Sequence, residues 1–79
     1  MYEELCKQLN LFAHDHNLRI TIHTTTDEAA FLFQNKERTW GYQRVFSIEE
    51  LTLTAMEPYQ YANMVVNDVR NRLSSKGLI

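Results

Sequence analysis

The chain has 79 residues, with eight Lys plus Arg against ten Asp plus Glu and a formal charge of −2. A chain of this size buries only about 60% of the surface its unfolded form exposes, which leaves one domain with a small core and excludes a deep enclosed active site. Neither charge sign gathers into a run, so nucleic-acid binding would lack counterion release, its main source of affinity, and the acids are too few and too mixed with bases to imitate a DNA backbone.

Along the chain, Leu5, Leu9, Phe12, Ala13 and His16 recur at spacings of three and four, the mark of an amphipathic helix from Tyr2 to about His16. Asn17 is expected to end it, because asparagine tolerates the left-handed conformation. Leu18 to His23 then alternates, with Leu18, Ile20 and Ile22 facing a core and Arg19, Thr21 and His23 facing outward. Thr24 to Glu28 is a polar turn, and Ala29 to Phe33 reads as a short apolar strand. Asn35-Lys36-Glu37-Arg38 has the length and polarity of a hairpin connection, and a third strand runs from about Thr39 to Phe46.

Phe46-Ser47-Ile48-Glu49-Glu50-Leu51 marks the change from strand to helix. Ser47 and Glu50 have the spacing of a reciprocal capping box, and Phe46 and Leu51 that of a hydrophobic staple. A short helix from Ile48 to about Thr54 follows. Pro58 suits the first turn of a longer helix, whose Ala62, Val65, Val66, Val69 and Leu73 share one side, and Gly77 closes it. The expected fold is one α+β domain over residues 1–79: a helix, a three-stranded antiparallel meander, then one short and one long helix, with the helices on one face of the sheet.

A sheet covered on one side leaves its other side to water or to a partner. The second strand carries Phe31 and Phe33 on one face and Ala30 and Leu32 on the other, more apolar surface than a single-layer core requires. In the third, Trp40, Tyr42, Arg44 and Phe46 alternate against Thr39, Gly41, Gln43 and Val45. The alternation alone does not fix which set is buried. Trp, Tyr and Arg are the residue types that dominate interface energetics. Phe31, Phe33, Trp40, Tyr42, Arg44, Tyr59 and Tyr61 are therefore the candidate partner-binding residues, the alternative for each aromatic being an ordinary place in the core.

No motif carries catalysis. His14 and His16 lie two apart on a helix and cannot share a face, so His14-Asp15-His16 does not form a metal site by itself. Cys6 has no base near it by local spacing, and Glu49 and Glu50 diverge in direction while Glu50 is used by the cap. Gly41 and Gly77 are the only glycines, so no phosphate loop exists. The expectation is a protein that is not an enzyme and holds no metal or cofactor. A single cysteine, an amino terminus without the basic and apolar regions of a secretion signal, and apolar stretches far short of the ~20 residues that span a bilayer point to the cytoplasm, with no membrane partner.

The element order also resembles the double-stranded RNA-binding domain. That family bridges phosphates with lysines at the start of its last helix, where this chain reads Met56-Glu57-Pro58-Tyr59-Gln60-Tyr61 without a basic residue. The topology is similar, and the RNA-binding function does not carry over. In size, and in the string Arg44-Val45-Phe46-Ser47-Ile48-Glu49-Glu50-Leu51 followed by a helix bearing Asn67-Asp68-Val69, the chain resembles small phage-encoded accessory proteins. That resemblance implies a protein acting inside an infected bacterium, in the host cytoplasm, by binding and blocking a host factor such as a defence or DNA-handling complex. Two other readings remain open from the residues: a structural homodimer that buries the surplus apolar face, and a small-ligand or nucleotide-binding protein with its pocket at a subunit junction.

Overall fold

The computed structural model describes every residue from Met1 to Ile79. Helix α1 (Tyr2–Asp15) buries Leu5, Leu9, Phe12 and Ala13 of the expected stripe, but His16 is the exposed C-cap residue, its ring against Phe12 at 4.7 Å rather than within the core. Asn17 adopts φ 56°, and the chain turns through a Schellman motif: the Leu18 N–H donates to Ala13 O at 2.8 Å and the Asn17 N–H to His14 O at 3.1 Å. The turn drops Leu18 into the core and starts β1 (Arg19–Thr24). Helix α3 (Pro58–Ser75) ends in the same way. Gly77 takes φ 73°, and the Leu78 N–H reaches Leu73 O at 2.9 Å, which docks a half-buried Leu78 against the core. Replacing Gly77 by alanine leaves open space around the new methyl group but forces a left-handed backbone on it. Gly77→Ala should therefore cost about 1–2 kcal/mol in urea denaturation.

Strands β2 (Glu28–Gln34) and β3 (Gly41–Ser47) complete an antiparallel sheet of order β1-β2-β3. Six residues, not four, join β2 to β3. Asn35 organises them: its Oδ1 accepts from the Thr39 N–H at 2.8 Å and the Trp40 N–H at 3.3 Å. Arg38 supplies a positive φ of 58°, so the chain regains extended geometry only at Gly41, two residues later than the polarity pattern indicates.

Helix α2 (Ile48–Leu53) follows β3 directly. The Ser47 hydroxyl accepts from the Glu50 N–H at 3.4 Å, and Phe46 and Leu51 are both buried, as the staple requires. The return arm of the expected capping box does not form. The Glu50 side chain remains exposed.

All three helices cover one face of the sheet. The 15 buried residues are apolar without exception and make one core, in which the Phe31 and Phe46 rings meet edge to face at 5.7 Å and Phe12 and Phe33 at 5.9 Å.

Candidate functional site

The β-ladder register resolves the parity that the alternation leaves open. Cross-strand partners share a face, so Ile20, Phe33 and Tyr42 form one core-facing row, Ile22, Phe31 and Arg44 a second, and Ala29 and Phe46 a third. The other face consists of Arg19, Thr21 and His23 on β1, Glu28, Ala30, Leu32 and Gln34 on β2, and Gly41, Gln43, Val45 and Ser47 on β3. No helix packs on it, and Val45 is 47% exposed.

The seven candidate partner-binding residues divide accordingly. Phe31 and Phe33 are fully buried, which corrects their assignment to a contact surface: both lie on the central strand, beneath the helices, and present nothing to a partner. Tyr42 and Arg44 share their face but lie on the edge strand β3, Trp40 sits in the connection just before it and packs against the same core, and each is half-buried. They form a rim along the outer border of the sheet. Tyr61 joins this rim from the flank of α3, close enough for the Arg44 charge to act on its phenol. Tyr59 does not join it. Two helical residues span about 200° of rotation, so Tyr59 projects elsewhere, 57% exposed and close in sequence to the exposed Leu53 at the end of α2 and Met56 of the α2–α3 connection.

An ion-pair network orders the rim. The Arg44 guanidinium donates to Asp68 Oδ2, and Arg72, one turn along the helix, donates to the same oxygen at 3.1 Å. Arg44 also lies over the Phe46 ring, 5.4 Å from its centroid. Partial burial opposes the Arg44 charge most strongly, but the hydrogen bonds and charges of Asp68 and Tyr42 together outweigh it and the guanidinium pKa is raised. The same bond, helped by Arg72, holds the Asp68 carboxyl below its usual value. Burial raises the Tyr61 phenol, with Arg44 pulling the other way.

A lowered carboxylate pKa contributes stability that is present above the unfolded value near 3.9 and is lost as pH falls through the folded value. Because the pair is partly exposed and screened, Asp68→Asn should cost at most about 1 kcal/mol at neutral pH. That difference from the wild type should vanish in acid, and urea midpoints measured across pH would check it.

Asp68 and Arg72 were not among the sequence-derived candidates. Their i, i+4 spacing on α3 was visible, but the strand residue that closes the network belongs to another element. Two hollows open on the surface elsewhere. One of about 330 Å³ lies between Met1 and Tyr2 and the α2 residues Ile48, Leu51 and Thr52. The other, about 290 Å³, is lined by residues that include His14, Asn17 and Lys36. Tyr2 shares a hydrogen bond of 2.8 Å with Thr24, which pulls its phenol pKa down, but the neighbouring Cys6 and partial burial together raise it. Nowhere do three or more His, Cys, Asp or Glu side chains converge as metal ligands would, and no helix is long and apolar enough to cross a membrane. Comparison with family models, curated proteins and solved structures finds no match to this chain.

Proposed function

We propose that the protein is a non-enzymatic binding module that receives an extended segment of a partner protein along β3. The observation that carries this reading is the character of that edge. β3 pairs only with β2 and keeps a continuous register over seven residues. It contains no proline or lysine, two common devices by which proteins block edge strands from pairing. A segment added beside it gains main-chain hydrogen bonds, while side chains on the helix-covered side meet Trp40, Tyr42 and Arg44. The Asp68 carboxylate, itself held by Arg72, keeps Arg44 in place, so little rotamer entropy is lost when a partner arrives. The other edge, β1, offers one arginine and no aromatic residue.

The finer reading is that the partner belongs to a bacterial defence or DNA-handling complex and that the module acts as an inhibitory phage accessory protein in the bacterial cytoplasm. It rests on the likeness carried by Arg44 to Leu51. One experiment addresses both levels: a photoreactive benzoylphenylalanine in place of Tyr42, expressed in bacterial cells, with the same replacement of the exposed Gln60 as control. A covalent protein adduct from position 42 alone supports the module, and its identity as part of such a complex supports the inhibitory role. No adduct, or equal adducts from both positions, overturns the edge reading.

A further inference from the structure

We propose that the open face of the sheet binds a second copy of this chain, stacked face to face about a two-fold axis that lies in the interface and runs across the strands. The face is built from four rows: Arg19-Gln34-Gly41, Thr21-Leu32-Gln43, His23-Ala30-Val45 and Glu28-Ser47. An axis between the second and third rows sets the first row of one copy against the fourth of the other, and the second against the third. Leu32 then lies over Ala30 of the second copy, a large side chain on a small one, and Gln43 lies over Val45. Gln34 is set opposite Glu28, where its amide donates to the carboxylate.

Charge selects this arrangement. Arg19 and Glu28 are the only formally charged residues of the face apart from the titratable His23, and they lie at opposite ends of it. Neither takes part in an ion pair within the chain. The two-fold operation sets each Arg19 one strand spacing, about 4.8 Å, to the side of Glu28 of the second copy, across the about 10 Å that separates stacked sheets, a span that the arginine and glutamate side chains bridge together. Symmetry makes the contact twice. A stacking with the strands in the same direction would instead bring like ends together and leave all four charges unpaired. His23 meets Thr21, so its protonation brings no like charge into direct opposition.

Three strands of about seven residues form a footprint at the small end of specific interfaces, below about 1,200 Å² in total. The dimer should therefore dissociate on dilution. It leaves the β3 edge at its perimeter, so this inference does not depend on strand addition there and can fail separately from it.

Light scattering coupled to size exclusion, over a wide range of loading concentrations, tests the proposal. Wild-type mass should rise from one chain toward two. Arg19→Glu and Glu28→Arg should each remain monomeric at concentrations where the wild type pairs, with unchanged circular dichroism. An equimolar mixture of the two variants should regain the dimer mass, because opposite charges again meet at both ends. Val45→Asp, at an exposed position in the apolar centre, should also be monomeric. A wild type that stays monomeric throughout overturns the proposal, as does a dimer indifferent to either charge reversal or a mixture that fails to pair.

Discussion

Phe33→Ala, or Phe31→Ala, is expected to leave the protein largely unfolded at ordinary temperature. Both rings have no solvent exposure and lie on the central strand, where each meets aromatic neighbours: Phe33 against Phe12, and Phe31 against Phe46 and, at 6.4 Å, Tyr2. Truncating a buried phenylalanine costs about 3–5 kcal/mol through lost transfer energy and the cavity left behind. A domain of this size has little more than that in total. The midpoint of thermal unfolding should fall by more than about 12 °C, whereas Val45→Ala, half-exposed on the open face, should stay within about 0.5 kcal/mol of the wild type. Circular dichroism during heating distinguishes the two. A folded Phe33→Ala variant with wild-type stability would mean that the core lies elsewhere.

Why Phe31 and Phe33 were open to misassignment follows from the same strand. Glu28 to Gln34 is apolar on both faces, so alternation identifies two sets without indicating which one the helices cover. Only the pairing of Phe33 with Ile20 and Tyr42 fixes the side, and pairing is a long-range property. Local signals were more legible. The periodicity of Leu5 to Ala13 and of Ala62 to Leu73 gave both long helices and their buried stripes, and Pro58 and Gly77 bounded the second. The Ser47 cap fixed the start of α2. Glu50 departs from the expected box although its spacing is correct, because its exposed carboxylate is solvated by water and gains little from the return bond. The rim was half legible in the same sense. Trp40, Tyr42 and Arg44 stand out by type and spacing, while the Asp68 carboxylate that orders Arg44 is 24 residues away.

Trp40→Ala and Tyr42→Ala are expected to weaken partner binding along β3 by about 30-fold or more each, the loss typical of a central aromatic anchor at about 2 kcal/mol or more. Both side chains also pack against the core from the sheet border, so some stability is lost with them, and that loss must be separated from the loss of binding. Half-buried positions at an edge relax more readily than a central phenylalanine, and the variants should remain folded in circular dichroism, with a smaller drop in thermal midpoint than Phe33→Ala. Binding is measured below the unfolding transition, against the partner captured at position 42. Gln43→Ala serves as the control: it lies between Tyr42 and Arg44 on the same edge strand but on the opposite face, and should change affinity only slightly. Arg44→Ala should fall between these, because it removes a rim contact and leaves Asp68 still paired with Arg72. If all four variants bind equally well while remaining folded, the rim plays no part in recognition, and Trp40 and Tyr42 serve only to close the edge of the core.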